Sequence, residues 1–181
     1  VVIGGGFIGL ELAENLFDRG ISVTVVELAP QILANVLDPE MAGYVKRHLQ
    51  QKGIRVLTGA KAAAIVGQGK VEGVQTDSGL LPCGAVVLST GIRPNTDFLD
   101  GTGVEMVKGA IVVDQHLATS VANIYAAGDC ALVTNRLTGK AQWSPMGSSA
   151  NLEGRTLAQG LNGEDKTYPG VLGTGVVKLP G

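Results

Sequence analysis

Three glycines and one acid carry the first chemical hint. In "VVIGGGFIGLELAENL", Gly4, Gly6 and Gly9 satisfy G-x-G-x-x-G, and Glu27 stands 18 positions beyond Gly9 at the end of "SVTVVEL". That pattern suits a dinucleotide: Gly4 permits a tight turn out of a strand, Gly6 lets the backbone approach a pyrophosphate, and Gly9 lets helix and strand pack closely. Phe7 and Ile8 complete the turn and open a helix whose unpaired N–H groups and positive dipole end attract the ligand's negative charge. Glu27 is placed to accept from both ribose hydroxyls, the alternative being an ordinary acid that decorates a strand end. A carboxylate there repels a 2′-phosphate, and "ELAPQ" offers no Arg to receive one, so NAD is expected in preference to NADP. Glu11, on the same helix, is by residue physics alone an ordinary exposed glutamate in a good helix-forming position.

A second stretch, "NIYAAGDCAL" from Asn123 to Leu132, ends an apolar run on Gly128-Asp129. From the residues alone Asp129 reads first as a turn or cap residue, with a place where a ligand hydroxyl is held as the alternative. Further on, Met146, Gly147 and Ser148 begin a helix, either as a simple cap or as an anion-facing end. Cys83 and Cys130 lie 47 positions apart, which is neither a CxxC redox pair nor zinc spacing, and two such thiols read as small buried hydrophobes. His48 and His116 have no nucleophile pattern around them, and no metal site is expected.

The elements that must position these residues follow from periodicity. Residues 1 to 4 make a strand, and Phe7 to Arg19 have helical spacing through Ile8, Leu12, Leu16 and Phe17, stopped by Gly20. Ser22 to Leu28 is a β-branched run suited to a buried parallel strand. A second helix begins at Asp38-Pro39 and closes at Gly53, and "IRVLTG" supplies a third parallel strand. Ala62 to Val66 and Lys70 to Thr76, with turns at Gly67-Gln68-Gly69 and Asp77-Ser78-Gly79, predict an antiparallel meander in place of another helix. Ala85 to Thr90 returns as an apolar strand before "GIRPN", whose Pro94 prevents its extension. "AIVVD" and "NIYAAGD" are expected as short strands around "QHLATSV". Gly147 to Leu161 is expected as a helix through Ala150, Leu152, Leu157, Ala158 and Leu161, and "GVLGTGVVKL" resumes strand character.

Of the 181 residues, 45% are hydrophobic and 17% charged, ordinary for an α/β protein, but the 27 glycines are roughly twice the usual share. A net charge of −2 without a Lys/Arg cluster argues against a nucleic-acid surface or an anionic-membrane surface. No apolar run approaches a spanning helix and no secretory leader is legible, so a cytoplasmic protein is expected. Val1 to Ile3 already lie inside a strand, and the chain is expected to be a piece of a longer one. The length suits a single domain, or one domain plus a piece of another, and the change of character along the chain places the cut near residue 116.

By "TSVANIYAAGD" the pieces resemble the pyridine nucleotide-disulfide oxidoreductase family, over essentially the whole chain. The carriers are "GGGFIGLELA", "STGIRPN", "TSVANIYAAGD" and "PMGSSANLEGRTLAQGL…YPGVLGTGVVKL", the last most similar to the branch of coenzyme A-disulfide reductases, NADH oxidases and NADH peroxidases. The resemblance implies an α/β architecture: a Rossmann-like parallel sheet with an antiparallel β-meander as NAD(P)H domain, 1–116, inserted into an FAD domain whose returning, incomplete segment is 117–181. It implies that Asp129 accepts from the flavin's ribityl chain with Gly128 keeping the backbone close. Glu11 would help place the nicotinamide over the flavin, and Phe7 holds the position of a gating aromatic that is often Tyr, here without a hydroxyl. Gly91 would lie against the nicotinamide nucleotide, and the helix beginning at Gly147-Ser148 would point at the flavin N1–C2=O edge.

The activity so implied is hydride transfer from NADH to FAD and on to a disulfide, peroxide or oxygen, in a homodimeric parent. The family's first FAD motif, its redox-active cysteine and its dimerisation domain have no counterpart in these residues, and Cys130 is not the catalytic thiol by position. Two other readings share the motifs: a reductase of a redox partner protein, such as a rubredoxin or ferredoxin reductase, and a regulator that senses NADH without turnover.

Overall fold

The computed structural model describes residues 1–176. They form two compact units, 1–91 and 92–175. Among them no helix is long and apolar enough to cross a membrane.

The first unit starts with β1 (Val2–Ile3), α1 (Phe7–Phe17), β2 (Thr24–Glu27), α2 (Pro39–Lys52) and β3 (Arg55–Thr58). Parallel strands need a crossover between them, and each helix supplies one. The first unit closes with β4 (Ala62–Val66), β5 (Gly73–Thr76), β6 (Gly79–Pro82) and β7 (Val87–Leu88). The parallel sheet has the order β3-β2-β1-β7, with Val2 opposite Val25 on one side and Val87 on the other. Reversal of strand order at β1 makes a crevice at its carboxyl end, where the glycine turn begins. Beneath the turn, Val2, Leu10, Ala13, Val25, Ile32, Leu49 and Val56 share one apolar core. Helix α2 is bounded as its residues require: the Asp38 carboxylate accepts from the Met41 N–H at 2.9 Å, and Gly53 ends it at φ 105°. The predicted meander is present as the antiparallel sheet β4-β5-β6.

The second unit contains a short 3-10 turn at Asp97–Leu99, then β8 (Met106–Val107), β9 (Ala110–Val112), β10 (Ala131–Thr134), β11 (Ala141–Trp143) and α3 (Gly147–Leu161). Its sheet order is β11-β10-β9-β8, with β9 and β10 parallel and the outer pairs antiparallel. The break between these compact units falls at Gly91/Ile92, and strand pairing across residue 116 holds the second one together. Ile111 and Val112, before that residue, pair with Ala131 and Leu132 beyond it, and the Thr96 hydroxyl donates to the Gly109 carbonyl at 2.6 Å.

Two strand expectations change. "NIYAAGD" is not a strand: Asn123 (φ 63°) and Gly128 (φ 85°) turn the chain at both ends, and only Tyr125 makes a β-bridge, to Ala118. Its apolar character serves instead to bury Ala126 beside Val104 and Ile111. In "GVLGTGVVKL" only Val171 bridges, to Asn135, and no ladder follows through residue 176. Residues 177–181 lie outside the described residues. Helix α3 has the expected bounds, and Leu157 packs against the core as its spacing requires, but the rest of the inward face is polar. Ser149, Glu153 and Thr156 are buried, whereas Leu152 and Leu161 are exposed.

Candidate nucleotide-binding site

The site in the first unit is built by the turn between β1 and α1. Gly4 leaves the strand at φ 112°, and a Cβ there would stand 2.0 Å from the Ser89 carbonyl oxygen on the neighbouring β7 side. At Gly9 a Cβ would stand 2.0 Å from the Gly4 carbonyl oxygen, so the first turn of α1 lies directly on the loop it leaves. Gly6 differs in kind. Its φ of −80° and ψ of −177° suit any residue, and a Cβ there meets nothing within 4 Å, so it would project into open space over the turn. Two of the three motif glycines thus serve packing and the third keeps the approach clear.

Gly6 is also the N-cap of α1, with no side chain capping it and no acid in the first turn. Leu10 donates to the Gly6 carbonyl at 3.0 Å, which leaves the Phe7, Ile8 and Gly9 amides without intrahelical acceptors. Three donors at the positive end of a helix, beside a glycine that adds no bulk, form an anion cradle.

Glu27 ends β2 beside this cradle. Its Oε2 accepts from the Gly5 N–H at 2.6 Å and its Oε1 from the Ala29 N–H at 2.7 Å. The carboxylate is therefore tied to the glycine turn on one side and to its own loop on the other. Each oxygen keeps acceptor capacity for a further donor. Gly5, a free position in the motif, is fixed as firmly as its neighbours: its carbonyl accepts from Leu33 N at 2.9 Å, and a Cβ would stand 2.9 Å from Ile32 Cγ2. Sequence spacing alone does not single it out.

Over these residues lies a cleft of about 610 Å³, ample for a large part of a dinucleotide. Gly4, Gly6, Phe7, Glu27, Ser89 and Gly91 all line it. Lys61, which follows β3, also reaches the wall and is the sole cation among the lining residues. Only the return of the chain after β3 brings it there, since 34 positions separate it from Glu27 in "TGAKAAAIV". Ile8 is exposed on α1 and does not line the cleft. Glu11, also exposed, stands one helical turn beyond Phe7 and on the same face. Gly91 holds a left-handed φ of 115° with open space where a Cβ would be.

The second unit carries the remaining candidates. Gly128 turns the chain at φ 85°, and a Cβ would make only ordinary contact with Ala150 at 3.5 Å, so conformation is what demands glycine there. The Asp129 side chain is exposed, while its carbonyl accepts from the Trp143 indole at 2.7 Å. Gly147 and Ser148 are exposed at the start of α3, where no side chain caps the helix. Behind Gly128 lies a residue that periodicity overlooked. The Glu153 carboxyl is buried at 2% exposure, accepts from the Gly128 N–H at 2.6 Å and bonds the Tyr168 hydroxyl. Burial pushes its pKa up, and the neighbouring Asp129 charge adds to the shift against the lowering effect of those hydrogen bonds. The Cys130 thiol is likewise pushed up by burial, with Glu153 and Asp129 adding to it, and its Sγ donates to the Ala127 carbonyl at 3.6 Å.

A parallel sheet with a strand-order reversal, a glycine turn opening a helix there, and an acid ending the next strand define a dinucleotide-binding protein of the Rossmann type. Residues 1–149 match the family model of the pyridine nucleotide-disulphide oxidoreductases, and the chain belongs to that family. Over 179 residues it is 42% identical to an NADH oxidase of Methanocaldococcus jannaschii, a match covering 98% of this chain and 40% of that protein. A crystal structure of an FAD-dependent pyridine nucleotide-disulphide oxidoreductase from Desulfovibrio vulgaris superposes with a TM-score of 0.91 at 41% identity, covering 98% of this chain and 46% of that one. An NAD-dependent persulfide reductase from A. fulgidus gives a TM-score of 0.91 at 40% identity, covering 98% and 33%. The chain thus spans about two fifths of the length of the curated relatives it matches.

Proposed function

We propose that these residues bind NADH in the first unit and one side of FAD in the second, within a flavin-dependent oxidoreductase acting on a disulfide, persulfide, peroxide or oxygen acceptor. The observation that carries this reading is the cradle at Gly6: open space above an extended glycine, three amides at an uncapped helix end, and a backbone-anchored carboxylate beside them. In this reading the Phe7, Ile8 and Gly9 amides hold the pyrophosphate. Glu27 receives the ribose hydroxyls and disfavours a 2′-phosphate, against which Lys61 is the one opposing charge in the wall. Phe7 and Glu11, one turn apart, place the nicotinamide, and Gly91 lets its nucleotide lie against bare backbone.

On the flavin side, Asp129 accepts from the ribityl chain and the uncapped start of α3 faces the ring edge that gains negative charge on reduction. When bound, the flavin supplies hydride acceptance and onward electron transfer. A homodimeric assembly and a cytoplasmic location belong to the same reading, supported by the kinship with this family.

The test is anaerobic mixing of NADH with the full-length flavoprotein, following loss of the oxidised-flavin absorbance. Rapid bleaching by NADH, slower with NADPH, is the expected result. Tight NADH binding without bleaching overturns the enzyme reading in favour of a sensor.

A further inference from the structure

Glu153 is the most deeply buried acid among the described residues, and it takes no part in the surface ion pair Arg93–Asp97. An unpaired buried carboxyl is costly unless hydrogen bonds satisfy it. Here they do. It accepts from the Gly128 N–H at 2.6 Å and bonds the buried Tyr168 hydroxyl, which in turn bonds Ser149, one helical turn before Glu153 on α3. Tyr168 is itself anchored by its N–H to the Gln115 carbonyl at 2.7 Å. No buried side-chain nitrogen or oxygen among the described residues lacks a partner.

The connection has a geometric consequence. Gly128 sits at φ 85° and leads directly into Asp129, while Glu153 lies six residues, roughly 9 Å, along α3 from Gly147. One short contact therefore joins the turn that presents Asp129 to the helix whose open end presents the Gly147 and Ser148 amides. We propose that Glu153 is a positioning residue for flavin: its hydrogen bond to Gly128 sets the spacing between the Asp129 carboxylate and the start of α3. Glu153 touches no ligand itself. The proposal rests on the flavin reading of this unit and adds the residue that registers its two contacts.

The experiment uses the full-length protein with FAD bound and compares Glu153→Met, Glu153→Gln and the parent. Three quantities are read: the FAD dissociation rate by flavin fluorescence, the flavin midpoint potential, and amide exchange of the peptide containing Gly128. Glu153→Met removes the acceptor, and FAD release is expected to rise about tenfold with matching loss of Gly128 protection. Glu153→Gln keeps an acceptor oxygen and is expected to restore both to within about threefold, with the potential returning toward the parent's. NADH affinity, read in the same samples, reports that the first unit is intact. Wild-type FAD release in Glu153→Met, or Glu153→Gln no better than Glu153→Met, overturns the proposal. Should Glu153→Met fail to fold, Tyr168→Phe removes only the hydroxyl that orients the carboxyl. It is expected to speed FAD release about threefold, and an unchanged rate overturns the proposal equally. A parent protein that takes up no FAD defeats the flavin reading instead, and Gly128 protection then still decides whether Glu153 holds the turn.

Discussion

Adding one methyl group at Gly6 and at Gly9 should separate ligand binding from folding. At Gly6 the backbone is extended and a Cβ meets nothing within 4 Å, so Gly6→Ala adds no strain. It reduces unfolded-state entropy and is expected to leave stability unchanged or raised by about 0.4–1 kcal/mol. At Gly9 the same methyl would lie 2.0 Å from the Gly4 carbonyl oxygen, and backbone must retreat by about 1 Å or more. Overpacking of this kind costs roughly 1–3 kcal/mol, or a fall in Tm of roughly 2–12 °C for a domain of this size.

Ligand affinity should order the two differently. On the proposed placement, a methyl at Gly6 stands where the pyrophosphate meets the helix amides, and a charge-assisted hydrogen bond is worth about 1.5–3 kcal/mol. Losing one weakens NADH binding roughly 10- to 150-fold, and the larger Gly6→Val abolishes it. Thermal unfolding and NADH calorimetry on the same preparations measure both effects. NADH binding by Gly6→Val at the parent's affinity, or a Tm loss in Gly6→Ala matching that of Gly9→Ala, would refute the placement of the pyrophosphate.

Glu27→Gln retains one acceptor oxygen for two backbone donors, so stability should fall by about 1–3 kcal/mol while the NADH-over-NADPH preference narrows; an unchanged preference by calorimetry counts against Glu27 as the ribose acceptor. Lys61→Ala should weaken NADPH more than NADH, and equal effects on both would remove it from the ribose end of the cleft. Because the folded-state pKa of Glu153 is raised, the native state keeps a proton that the unfolded chain has released. Stability should therefore fall as pH rises from the ordinary carboxylate range through the folded-state pKa, and Glu153→Gln should flatten that slope in denaturant melts. Cys130, its thiol pushed up by burial, should alkylate more slowly at pH 8 than free cysteine, and Cys130→Ala should leave flavin reduction by NADH within about twofold of the parent; fast labelling with lost reduction would make it a reactive thiol after all.

What the sequence by itself determined is local. The glycine motif, the Asp38 cap, the Gly53 stop, the meander turns and the bounds of α3 all follow from backbone permissiveness and periodicity, which act within a few residues. Tertiary structure decided what depends on partners far along the chain. "NIYAAGD" has strand composition, yet β9 pairs with β10 beyond it, and positive φ at Asn123 and Gly128 turns the chain away. The compact units divide at Gly91/Ile92 because strands on both sides of residue 116 pair with each other. Lys61 reaches the cleft only because the chain returns after β3, and α3 buries Glu153 beside Leu157 because Gly128 and Tyr168 await a carboxyl there. A hydrophobic pattern reports the average cost of burial, and it is blind to a buried acid whose hydrogen-bond partners arrive from elsewhere in the fold.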